Sequence, residues 1–180
     1  MLETERLIIK PHTKKNFDKI SMWMNDPELL YYDDSEPEPY IKKSKERLKQ
    51  IMNRFINSTP DKKNEIIHFA IHKKKDDQLI GYCMIAYIDN YHKKCNFGIS
   101  LGEKTEWGKG YGKEVLREII RYCFEDLDMN RIGAEIYSHN ERSIKLFEKA
   151  GFKKEGVLRQ SVLKKGKYLD EYVYGLLRED

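Results

Sequence analysis

The sequence predicts an α+β fold: a mostly antiparallel seven-stranded sheet, about four helices, and one parallel crossover inside the sheet. Three observations predict it. Short runs of branched and aromatic residues, bounded by turn residues, recur along the chain and read as strands. Four stretches carry apolar residues at helical spacing. A glycine-rich connection joins a strand to the strongest of these helices, and another strand follows, which is the order of a βαβ unit.

"ERLIIKP" opens the chain as a strand. "KKNFDKISMWMND" then places Phe17, Ile20 and Trp23 or Met24 on one helical face, and Asp26-Pro27 breaks it. "LLYYDDSEPEPY" reads as an acidic loop, and a second helix brings Leu48, Ile51, Met52 and Phe55 to one side. Residues 65–73, 78–89 and the stretch "CNFGISL" form an antiparallel meander. After the glycines, Val115, Leu116, Ile119, Ile120, Cys123 and Leu127 line an amphipathic helix. "RIGAEIYS" is the next strand. Asn140 caps a short helix, "ERSIKLFEKA", that Gly151 ends, and the tail forms two strands joined at "KKGK".

Composition narrows the function classes. The 180 residues are 39% hydrophobic and 36% charged, a globular rather than disordered balance. No apolar run approaches the ~18 residues a membrane helix needs, and the first residues lack a secretory signal pattern, so a cytoplasmic protein is expected. The net charge of +4 comes from 34 basic and 30 acidic residues, too mild to argue for nucleic acid. Cys83, Cys95 and Cys123 form no CxxC pair and read as buried free thiols. His68 and His72 share a strand face without a third ligand, so no metal is expected.

"EWGKGYGKEV", residues 106–115, carries the chemistry. A glycine turn ahead of a helix exposes unpaired N–H groups and a partial positive charge, and suits a phosphate. A P-loop needs Ser or Thr after Gly112-Lys113, where Glu114 stands. A dinucleotide fingerprint needs glycine at Lys113. The spacing Gln/Arg-x-x-Gly-x-Gly/Ala of acyl-CoA loops is matched at both glycine positions by residues 107–112, with Trp107 in place of Gln or Arg. An ordinary strand-to-helix turn is the competing reading of the loop alone.

A second segment adds to it. "NERSIKLFEKAGFKKEG", residues 140–156, resembles the second signature of the Gcn5-related N-acetyltransferase (GNAT) superfamily, at the expected distance after the loop. "TERLIIKP" and "FGISLG" resemble the branch holding ribosomal-protein N-terminal and spermidine acetyltransferases. The resemblance covers nearly the whole chain and implies one N-acetyltransferase domain over residues 1–180, with the sheet splayed between its fourth and fifth strands. It implies acetyl-CoA as cosubstrate. Its pantetheine arm would pair with Ile99, Ser100 and Leu101, and its pyrophosphate would rest on Trp107, Gly108, Lys109, Gly110, Tyr111, Gly112 and Lys113. Asn140, Ser143 and Phe147 would face the arm and thioester.

Direct transfer to a primary amine in a ternary complex is the implied reaction. Phe147 stands where many relatives carry the tyrosine acid, so Ser143 becomes the candidate acid. An N–H near Leu101 is the candidate oxyanion donor. Relatives often place a carboxylate base on the fourth strand, where Asn96 stands here, so the base is unassigned and His139 is a weak candidate for it. The acceptor would meet Tyr31, Tyr32, Asp33 and Asp34, with Glu36 and Glu38 adding charge, and Tyr168, Asp170 and Tyr174 on the last hairpin. A polyamine, an aminoglycoside or a basic peptide N-terminus would suit those acids. Dimers are frequent among similar proteins, so a homodimer is an open expectation. Phe147 and Asn96 keep one alternative alive, a catalytically silent acyl-CoA-binding module or sensor.

Overall fold

The structure, a computed structural model, describes residues 1–32, 42–58 and 66–180. In chain order the elements are β1 (Leu2–Glu3), β2 (Leu7–Lys10), α1 (Phe17–Trp23), α2 (Pro27–Tyr31), α3 (Lys45–Asn57), β3 (Ile67–Lys73), β4 (Leu79–Asp89), β5 (Lys94–Ser100), α4 (Tyr111–Arg121), β6 (Arg131–Tyr137), α5 (Glu141–Lys149), β7 (Lys153–Lys164) and β8 (Lys167–Leu177). A π-helical segment, Tyr122–Asp126, continues α4.

The strands form one eight-stranded sheet in the order β1-β2-β3-β4-β5-β6-β8-β7. Two expectations need correction. Seven strands were expected, and the eighth is β1, two residues whose register Leu2↔Ile9 folds them back on β2. A stretch this short carries no periodicity to read. Two helices were expected between the first strands, and the described residues hold three. Asp26-Pro27 breaks the helical run but also starts α2, because Asp26 accepts the Glu28 N–H at 2.9 Å and Pro27 occupies the first helical position.

The chain packs helices on both sheet faces. Phe69 and Ile71 on β3 belong to the core that holds Val115, Leu116 and Ile119 of α4 and Phe147 of α5. Ala70, between them, belongs to a second cluster with Ile20, Trp23, Met52 and Phe55 of α1 and α3. Alternate strand residues face opposite sides, so the two clusters lie on opposite faces. The three cysteines are buried and free.

The sheet opens at one place. β5 and β6 are parallel and pair only through Lys94↔Arg131, Cys95↔Ile132 and Asn96↔Gly133. Beyond Asn96, β5 stays paired with β4 as far as Tyr82↔Ser100, while β6 follows β8 to Tyr137↔Glu171. Residues 97–100 therefore keep a free edge toward β6 among the described residues. This is the splay expected between the fourth and fifth strands, which β1 renumbers to β5 and β6.

Candidate active site

The free edge of β5 leads into the glycine loop. Gly102 follows it, and a Cβ there would lie 2.0 Å from the Trp23 ring, so only glycine lets α1 pack against this turn. Gly110, with φ of +85°, is the residue before α4 and offers no side chain to cap it. The first N–H groups of α4, at Tyr111, Gly112 and Lys113, thus end on a bare backbone beside the open edge. Trp107 turns its indole back, and Nε1–H donates to the Leu101 carbonyl at 2.6 Å.

Charged residues hold the loop. Arg6 donates through Nη1 to the Lys109 carbonyl at 3.0 Å, and through Nε to Glu114 Oε2 at 2.7 Å. The Arg6 backbone N–H and the Thr4 hydroxyl also donate to Glu114. Burial pushes the Glu114 carboxyl up, but these bonds from Thr4 and Arg6 outweigh it and hold it below the ordinary range. Glu106, itself buried, bridges Lys109 at 2.9 Å and Lys73 at 3.1 Å. Lys109 therefore reaches the loop as half of an ion pair, while Lys113 stands exposed. Sequence reasoning missed Arg6 and Glu114 as a clamp. The signal was present in "TERL", whose Thr and Arg both bind Glu114.

On the other side of the opening, Asn140 Oδ1 accepts the Ser143 N–H at 3.2 Å, so Asn140 caps α5. Ser143 is half-buried in the first turn, and its hydroxyl has no hydrogen-bond partner among the described residues. Phe147 is 2% exposed, and its ring packs 4.9 Å from Phe152 and 6.1 Å from Phe97, a residue of the free edge of β5. It belongs to the apolar stripe of α5.

An aromatic group walls the next space. His139 Nε2 lies 3.0 Å from the Tyr31 carbonyl, which can only accept, so Nε2 carries the proton and Nδ1 the lone pair. Its ring stacks on Tyr32 and Tyr137 and lies 4.4 Å from Tyr31. Nδ1 is buried with no hydrogen-bond partner among the described residues. Burial lowers the His139 pKa, the Tyr31 carbonyl opposes, and Lys164 and Lys165 lower it further. His139 so ties α2 to the end of β6, and its lone pair is enclosed. Asp33 and Asp34, with Glu36 and Glu38, lie outside the described residues.

The remaining candidates divide. Asn96 presses its Oδ1 toward Gly133 within the last paired rung of β5 and β6. Tyr168 is exposed near the β7–β8 turn, and Asp170 accepts the Gln160 N–H at a bulge in β7. Tyr174 is buried, donates to Glu148 on α5, and has its phenol pushed up to about 12 by burial and by that carboxylate. It does not face the aromatic wall. Among the described residues no group of three His, Cys, Asp or Glu side chains gathers as a metal site. No helix among them is long and apolar enough to cross a membrane.

A model of the acetyltransferase (GNAT) domain matches residues 6–153. The chain belongs to the GNAT acetyltransferase family. This GNAT protein is 30% identical over 179 residues to the N-acetyltransferase p20 of Bacillus licheniformis, covering 99% of this chain and 97% of that relative. It is 30% identical over 121 residues to the ribosomal protein uS5 alanine N-acetyltransferase of Escherichia coli K12, covering 66% of this chain and 61% of that one. Among solved structures, the spermidine N-acetyltransferase of Vibrio cholerae in complex with CoA and spermine superposes with a TM-score of 0.83 at 22% identity, covering 96% of each chain. That likeness shows the GNAT fold. Family and relatives together make this chain an N-acetyltransferase.

Proposed function

We propose that this GNAT protein moves the acetyl group of acetyl-CoA to a primary amine by direct transfer in a ternary complex. The observation that carries the reading is the free edge of β5 opening onto the uncapped start of α4. The backbone edge from Ile99 through Ser100 to Leu101 lies along the pantetheine arm, with Ile99 and Ser100 pairing with its amides. The N–H groups of residues 108–113 receive the pyrophosphate, as a helix start receives an anion. Asn140, already a cap through its oxygen, presents its amide nitrogen to the arm.

In the transfer step the amine nitrogen attacks the thioester carbonyl and the C–S bond breaks. The Leu101 N–H, on the backbone stretch whose carbonyl Trp107 holds in place, is the donor for the oxygen that gains charge. The Ser143 hydroxyl gives its proton to the departing sulfur, and the proton that the amine loses returns to Ser143 through water. His139 positions the acceptor wall of Tyr31 and Tyr32 rather than taking that proton, because its Nδ1 is enclosed. The acceptor is a peptide N-terminus, a polyamine or another small amine, the chemistry named for the uS5 and spermidine enzymes.

CoA release from acetyl-CoA over a panel of polyamines, aminoglycosides and short peptides with free N-termini tests this. Turnover with one class identifies the acceptor. Tight CoA binding with no turnover on any amine would sink the catalytic reading and leave the silent acyl-CoA module.

A further inference from the structure

Arg142 is the second residue of α5, in the turn capped by Asn140. Its guanidinium carbon lies 4.0 Å from the centroid of the Trp107 ring and 5.1 Å from that of Tyr32. Neither contact is a carboxylate, and Arg142 forms no ion pair among the described residues. Two other cations at the loop are already engaged, Arg6 by Glu114 and Lys109 by Glu106, and Lys113 stands exposed in the first turn of α4. A cation in the first turn of a helix also opposes the helix dipole, so local sequence does not favour Arg142 there.

Stacking uses the flat face of a guanidinium and leaves its in-plane N–H donors pointing outward, in the fork that fits phosphate oxygens. The direction of that fork follows from α5. Leu146 lies four residues on, on the same helix face as Arg142. Leu146 reaches α4, where a Cβ on Gly112 would meet its Cδ2 at 3.3 Å. One turn back from Leu146, Arg142 therefore stands ahead of the first turn of α4, over the loop that begins at Trp107.

We propose that Arg142 is a donor-binding residue: its guanidinium, held flat by Trp107, gives paired N–H donors to the pyrophosphate of acetyl-CoA opposite the backbone N–H groups of residues 108–113. This rests on acetyl-CoA being the donor, as proposed above.

The test measures binding of CoA, dephospho-CoA and S-acetylpantetheine, which lacks the pyrophosphate, to the intact protein and to Arg142→Ala and Arg142→Lys. Arg142→Ala is expected to weaken CoA and dephospho-CoA about tenfold and to leave S-acetylpantetheine within twofold. Arg142→Lys recovers part of the loss, and added salt narrows the gap between variants. Unchanged CoA binding in Arg142→Ala overturns the proposal. So does an equal loss for all three probes, which marks a general disturbance, or a loss confined to CoA, which moves the contact to the 3′-phosphate. Wild-type protein that fails to bind CoA overturns the donor reading and this proposal with it, whereas a change confined to Arg142→Ala bears on this proposal alone.

Discussion

Glu114, in the first turn of α4, accepts both the backbone N–H and the Nε–H of Arg6, at 2.8 and 2.7 Å, across 108 residues of chain. The pair fastens the glycine loop to the turn between β1 and β2. Glu114→Ala leaves Arg6 and Thr4 without this acceptor and should cost about 2 kcal/mol of stability, read from urea unfolding. The same variant should raise the KM for acetyl-CoA severalfold, since the Arg6 contact to the Lys109 carbonyl loosens with it. A Glu114→Ala protein with native stability and native KM would show that the clamp does neither.

Ser143→Ala removes a hydroxyl that has no partner among the described residues, so little stability should change. Turnover should fall about tenfold to a hundredfold, within the range for loss of a positioned proton donor. CoA affinity should stay within twofold. Unchanged turnover removes Ser143 as the acid and passes the proton on the sulfur to water.

Phe147→Tyr restores the residue that many related enzymes use as acid, yet it should not speed this one. The ring sits between Phe97 and Phe152 at 2% exposure, so a new hydroxyl enters an apolar surround. A loss of about 1–3 kcal/mol is expected by thermal unfolding, with no gain in kcat. A Phe147→Tyr enzyme that is faster and equally stable would place this side chain at the thioester after all.

Stability should fall on mild acidification. Burial, with the charges of His68 and His72, lowers His12 to about 3, and burial lowers His68 to about 4. Among the described residues, both nitrogens of His12 and Nδ1 of His68 are buried without a well-formed hydrogen bond, and a contact of His12 with the Phe69 backbone only partly opposes the shift. Unfolded, each titrates near 6.5. As pH drops through that value the unfolded chain binds protons that the folded chain refuses, so the folded state loses ground down to about pH 4 and below. Between pH 7.5 and 5 the loss should be on the order of 2 kcal/mol per histidine. Urea unfolding at both pH values measures it, and His12→Leu should remove roughly half of the slope. A flat profile would mean that these rings take up protons while folded.

The loop, its helix, Asn140 and the splay were legible because each has a local signature: glycines, 3.6-residue periodicity, a cap, and a motif that a known family shares. Motif position sets Phe147 near the thioester, but its packing against Phe97, fifty residues earlier, is not local in sequence. Arg142 escaped notice for the same reason. Nothing in "NERS" announces that the Trp107 indole, 35 positions earlier, will lie under its guanidinium. His139 looked like a base because it neighbours Asn140. Its enclosure by Tyr31 and Tyr32 comes from the end of α2 meeting the end of β6, which no spacing rule encodes.

The three rungs that join β5 to β6 have a dynamic consequence. Main-chain bonding is continuous from β1 to β5 and again through β6, β8 and β7, so each side can behave as its own cooperative unit, with the junction the place where they part first. Amide hydrogen exchange should find slow exchange in the middle of β3, β4 and β8, and markedly faster exchange near residues 97–101. Any molecule that lies across the junction and engages both sides lends the two units a common unfolding transition, and the separation between their exchange rates measures how firmly it does so.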